Sequence, residues 1–123
     1  MSPDRPWTMR VRDIIDAVDE IQRFVSGFDA KSFGADPKTV KAVLADFQIM
    51  GEAASHVPER LRDAHPEIPW RLMRQMRNFI VHVYFAADPR VVWQTIQEDL
   101  PPLRIQLVAL LDAEVDSSDP PSS

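Results

Sequence analysis

Residues 36–57 read DPKTVKAVLADFQIMGEAASHV. Val40, Val43, Leu44, Phe47, Met50, Ala54 and Val57 recur mostly at steps of three and four, which lays them along one stripe of an α-helix rather than on alternate faces of a strand. Asp36 and Pro37 form a start signal. The carboxylate accepts from free N–H groups of the first turn, and the missing N–H of proline costs nothing there. Pro58 interrupts the stripe. Upstream, Val11, Ile14, Ile15, Val18, Ile21 and Val25 predict another helix over Met9 to Ser26, with Gly27 as its stop.

Downstream, residues Pro58 to His65 predict a short helical turn, and Pro66 and Pro69 punctuate the connection. A third helix is expected from Pro69 to about Val83, through Leu72, Met73, Met76, Phe79, Ile80 and Val83. Asp88 and Pro89 repeat the start signal. Val92, Ile96, Leu100, Leu103, Leu107 and Leu110 then keep helical phase across Pro101 and Pro102, predicting a kinked fourth helix. The β-branched residues fall at helical rather than alternating spacing. The reading is all-α: an up-and-down bundle of four to five helices over residues 9–115. Residues 1–8 are expected to be a flexible N-terminus, and 116–123, with DSSDPPSS, a disordered tail.

With 123 residues, 14.0 kDa and 45% hydrophobic side chains, the chain suits one domain whose core has little margin. The third helix carries apolar and polar functional residues around much of its circumference. A homodimer through that motif-bearing helix is therefore expected. The absence of cysteine excludes disulfides, thiol catalysis and thiolate zinc sites. Three glycines leave no glycine-rich phosphate loop, so no nucleotide cofactor is expected. No apolar run exceeds five residues, which gives no membrane span and makes a cytoplasmic protein the default. A net charge of −5 argues against wholesale capture of nucleic acid, and no DNA partner is expected. Between Pro69 and Tyr84, however, stand Arg71, Arg74 and Arg77 and no acid.

That cationic segment ends in Arg77-Asn78-Phe79-Ile80-Val81-His82-Val83-Tyr84. At about 100° per residue, Arg77 and Tyr84 share a helix face two turns apart, and Asn78 and His82 lie one turn apart on a neighbouring face. An arginine can hold a phosphate by a bidentate fork, and a histidine exchanges a proton near neutral pH. Those roles suit RNA cleavage in which the 2′-hydroxyl attacks the adjacent phosphate and a cation, not obligatorily a metal, stabilises the charged phosphorane. A two-fold dimer would bring two such pairs to one groove. A histidine at the end of a core helix also fits a hydrogen-bonded structural role, and spacing alone leaves both readings open.

The string R-N-x-x-x-H-x-Y, filled by Arg77, Asn78, His82 and Tyr84, resembles the motif of the HEPN superfamily, specifically HepT-like toxins. Gly51-Glu52-Ala53-Ala54, Ile68-Pro69-Trp70, Val92-Trp93 and Leu100-Pro101-Pro102-Leu103 resemble flanking signatures, so that the likeness runs from about Met9 to Leu111. One position departs: Val83 follows His82, where relatives often have a small residue such as glycine. The resemblance implies a helical, dimeric, metal-independent endoribonuclease toxic to its own cell, with Arg77 and His82 catalytic. Asn78 would help position RNA; Arg71 and Arg74, from the cationic run itself, are expected as further RNA contacts. It also implies an MntA-like nucleotidyltransferase partner that neutralises the toxin by transferring AMP to Tyr84. The alternative is a non-catalytic helical module that docks onto a nucleotidyltransferase and presents Tyr84 or a substrate to it.

Other residues invite weaker readings. Glu52 and His56, four apart, have the spacing of metal ligands, but no second carboxylate stands at matching spacing, so a surface or interface pair is expected and no metal site. Trp70 and Trp93 have the rings to stack on bases, although proline or valine neighbours suit them to packing helix ends. Asp13, Asp16, Asp19 and Glu20 are expected on the solvated side of the first helix.

Overall fold

The computed structural model describes residues 5–77 and 88–118, and every regular element among them is helical. In chain order these are α1 (Trp7–Val25), α2 (Ala30–Gly34), α3 (Pro37–Ser55), α4 (Glu59–Ala64), α5 (Trp70–Met76), α6 (Pro89–Gln94), a π-helical turn (Thr95–Asp99) and α7 (Leu100–Ser118). The expected third helix is thus described to Met76, and its continuation to Val83 lies outside the described residues.

Local chemistry sets the boundaries. Asp36 accepts from the Thr39 N–H at 3.3 Å ahead of Pro37, and Asp88 accepts from the Arg90 N–H at 3.1 Å ahead of Pro89. Gly27 takes φ of +84° just beyond α1, a left-handed conformation that a Cβ would penalise. α1 starts at Trp7, slightly before the expected Met9. Apolar periodicity does not anticipate α2, because five residues make less than two turns. Its signal is a capping box: the Ser32 N–H donates to Asp29 Oδ1 at 2.8 Å, and the Asp29 N–H donates to Ser32 Oγ at 2.9 Å.

The expected kinked fourth helix is two helices joined by the π turn. Pro101 and Pro102 offer no N–H to the preceding turn, and their rings crowd the carbonyls four residues back. Widening that turn, so that the Leu100 N–H bonds the Thr95 carbonyl, relieves the crowding. Helical phase survives: Val92, Ile96, Leu100, Leu103, Leu107 and Leu110 are all buried.

α3 is the central element. It packs along α1 on one side and α5 on another, while α7 lies against α1, and α2 touches both α3 and α6. The core joins Val11, Ile14, Val18 and Ile21 of α1 with Val43, Phe47 and Met50 of α3, Met73 and Met76 of α5, and Leu103 and Leu107 of α7. Each such side chain contributes about 1.5–3 kcal/mol by leaving water. Phe47→Ala, which would empty the middle of α3, should cost about 3–5 kcal/mol. Both expected packing tryptophans are packing residues. Trp70 is buried with its Nε1–H donating to the His65 carbonyl at 3.0 Å, and the Trp93 ring lies 5.3 Å from that of Phe33. Among the described residues no helix is long and apolar enough to cross a membrane.

Candidate functional site

Arg77 caps the C-terminal end of α5, its N–H turned back onto the Arg74 carbonyl at 3.4 Å. Its position follows from a close helix crossing. A Cβ added to Gly51 of α3 would lie 2.7 Å from the Arg77 backbone nitrogen, 2.8 Å from the Met73 carbonyl oxygen, and against Arg77 Cγ. Only glycine lets α5 lie this near α3, and the need comes from contact rather than from an unusual φ.

The next residue of α3 reaches the head of the same side chain. Glu52 Oε1 pairs with Arg77 Nη2 at 3.3 Å, and Glu52 Oε2 shares a hydrogen bond with His56 Nε2 at 2.9 Å. The His56 hydrogen bond, aided by the charges of Arg77, His56 and Arg10, holds the Glu52 carboxyl below the usual carboxylate range, against the opposing effect of burial. The Arg77 and Glu52 side chains are 48% and 51% exposed, so their pairing adds little to stability. Its consequence is where the guanidinium sits. The expected surface pairing of Glu52 with His56 is present, with Arg77 joined to it.

Arg71 and Arg74 point elsewhere. Steps of three turn each successive residue about 60° around a helix, so the three arginines wind across α5. Arg71 and Arg74 line a groove of about 540 Å³ with Arg62 of α4, Trp70, Glu59 and Asp63. Among the described residues none of these three arginines forms an ion pair, and Arg62 Nε is shielded from water without a hydrogen-bond partner. Sequence reasoning missed Arg62, because it comes from a separate short helix whose spacing to the motif carries no periodic signal.

The opposite side of α3 is acidic. Asp13, Asp16, Asp19, Glu20 and Asp46 line a groove of about 460 Å³ together with Arg23. The four α1 acids are exposed or half-buried, as expected, and Arg104 braces Asp19 through Nε at 2.7 Å and Nη2 at 3.1 Å. Asp46, not anticipated as special, is only 2% exposed. Burial, then the neighbouring Glu20 carboxyl, pushes its pKa up to about 7, against the opposing pull of Arg23. The signal was present: Asp46 stands three after Val43 and four before Met50, on the apolar stripe.

Asn78, His82 and Tyr84 lie outside the described residues. Among those described, no group of three or more His, Asp or Glu side chains is placed to hold a metal ion. Among the described residues the arrangement therefore offers one guanidinium held at a helix end, a groove that carries three arginines without ion pairs, and an acidic face. A polyanion would be drawn to the first two and repelled by the third.

Comparison with known proteins gives the same direction. The family model described as "Ribonuclease HepT-like" matches residues 14–110. The chain is 40% identical over 94 residues to "Probable ribonuclease HepT" of Thermococcus cleftensis, covering 76% of this chain and 86% of that protein. It is 29% identical over 114 residues to a "Putative RNase" of Caldanaerobacter subterraneus, covering 93% and 99%. A "Putative RNase" of Methanocaldococcus jannaschii is 28% identical over 92 residues, covering 75% and 84%. No solved structure matches. With the match running from the middle of α1 to the middle of α7, and thus through every helix that positions Arg77, the chain belongs to the HepT-like ribonuclease family of HEPN proteins.

Proposed function

We propose that this chain is a metal-independent endoribonuclease toxin that cleaves cellular RNA in the cytoplasm. The observation that carries the reading is Arg77, held at the α3–α5 crossing in a ribonuclease-family chain whose α4–α5 groove carries Arg62, Arg71 and Arg74, none of them ion-paired among the described residues. In the proposed reaction His82 removes the proton of a ribose 2′-hydroxyl, whose oxygen attacks the adjacent phosphorus. The P–O bond to the next nucleotide's 5′-oxygen breaks, and that oxygen takes up a proton. Arg77 neutralises the charge that grows on the phosphorane. Asn78 helps to position the chain, and Arg71 and Arg74 contact phosphates along the groove. A homodimer through the motif-bearing helices brings two Arg77/His82 pairs to one groove.

The partner in this reading is an MntA-like nucleotidyltransferase antitoxin. AMP attached to Tyr84 places a bulky anion where the RNA backbone binds and competes for Arg77, so that inhibition comes from blockade rather than unfolding.

The deciding experiment incubates purified wild type and His82→Ala with total cellular RNA in excess EDTA. Cutting by wild type, with a loss of at least about 100-fold in the variant, is expected. Loss of wild-type cutting on chelation would overturn metal independence. Absence of cutting with and without divalent cations would favour the non-catalytic docking module. For the antitoxin, intact mass after incubation with a cognate nucleotidyltransferase and ATP should rise by AMP in wild type and not in Tyr84→Phe. A gain that maps to another residue overturns that mechanism.

A further inference from the structure

We infer that Glu52 is a positioning residue, the group that aims Arg77. The inference rests on the proposed role of Arg77 and deepens it. An arginine side chain has four rotatable bonds before its planar head, and left free at a helix end it would sweep solvent. Here it is held at both ends. Gly51 admits the stem, since a Cβ there would lie 2.7 Å from the Arg77 backbone nitrogen and against its Cγ, and Glu52, the very next residue, pairs with Nη2 at 3.3 Å.

Glu52 is itself held. Its second oxygen is bonded to His56 Nε2 at 2.9 Å, one turn further along the same helix, so the carboxylate cannot swing away without giving up that bond. A carboxylate that engages one Nη leaves the other donors of the guanidinium for a phosphate, since the fork has five N–H groups. Its negative charge also makes the neighbourhood of Arg77 less attractive to RNA than a free guanidinium would be. Glu52 therefore gives up some binding and gains orientation, a trade that appears in turnover rather than in affinity. Stability does not explain the pair, because both side chains are about half exposed.

The test compares wild type, Glu52→Gln and Glu52→Asp on one RNA oligonucleotide, with the Arg77 Nε–H resonance followed by NMR in ¹⁵N-labelled protein. Glu52→Gln should lower kcat roughly 10- to 100-fold while KM stays level or falls. Glu52→Asp should recover part of kcat, and the Arg77 signal should broaden or shift in Glu52→Gln while thermal melting changes little. An unchanged kcat with an unchanged Arg77 signal overturns the inference, as does a rise in KM alone, which would make Glu52 a substrate contact. If wild type cuts no RNA, the ribonuclease reading fails by itself. The Arg77 resonance then still decides, and an identical signal in wild type and Glu52→Gln refutes the positioning role.

Discussion

Asp46 and Glu52 stand six residues apart on α3, and their carboxyl groups are pushed in opposite directions. Six residues turn a helix by 600°, which leaves the two about 120° apart. Asp46 faces α1, almost wholly buried and beside Glu20, and its pKa rises to about 7. Glu52 faces α5, half exposed among His56, Arg77 and Arg10, and its pKa falls. One helix thus presents one carboxyl to an acidic groove, unsuited to RNA, and another to the arginines Arg10 and Arg77. Residue type is nearly the same at both positions; partners decide the chemistry.

The largest expected effect tests whether that division carries function. Arg77→Ala should lower kcat/KM for RNA cleavage roughly 100- to 1,000-fold with the helical fold intact by circular dichroism. Asp46→Asn, on the other face, should leave cleavage unchanged at neutral pH. A comparable loss in Asp46→Asn would break the comparison.

The crossing that brings Arg77 to Glu52 is tested next. Gly51→Ala forces backbone apart rather than a flexible side-chain tip, and should cost about 1–3 kcal/mol by chemical denaturation. Wild-type stability in that variant would mean that α5 yields freely and that Gly51 does not set the approach.

Asp46 makes a pH prediction. Its folded-state pKa of about 7 lies above the ordinary 3.8, so between those values the native chain keeps a proton that the unfolded chain has released. The contribution of the protonated carboxyl is full below about pH 4 and is lost as pH rises through 7. Asp46→Asn should therefore gain stability over wild type on going from pH 4 to pH 8, by an amount on the order of 1–3 kcal/mol. Melting curves across that range would check it, and a constant difference would show that Asp46 is ionised throughout.

The smallest effect sharpens the cationic side. Arg71→Ala and Arg74→Ala should each weaken RNA binding roughly 3- to 10-fold, about 0.7–1.4 kcal/mol, and reduce the salt slope by about one. Arg23→Ala in the acidic groove should leave that slope unchanged. Equal slopes for all three variants would mean that RNA does not follow the α4–α5 groove.

Much of this molecule is legible in one dimension. The apolar stripes of α1 and α3, the caps at Asp36 and Asp88 and the stop at Gly27 are interactions among residues at most a few positions apart. The phase across Pro101 and Pro102 was equally readable, although the π turn that preserves it was not. The arginine pattern of α5 stood out because an acid-free stretch is unusual in a chain of net charge −5.

What the sequence determined by itself, then, is the set of helices, most of their ends, and the residue types of the candidate site, since each follows from a repeat of 3.6 residues or from a cap a few residues long. Tertiary structure alone decided the environments. It put Glu52 on Arg77, buried Asp46 beside Glu20, added Arg62 to the groove of Arg71 and Arg74, tied Asp19 to Arg104 across 85 positions, and made Gly51 the point where α3 and α5 cross. A side chain's partners depend on which helices touch and at what height, and a charge responds to distance in space, which no spacing along the chain encodes.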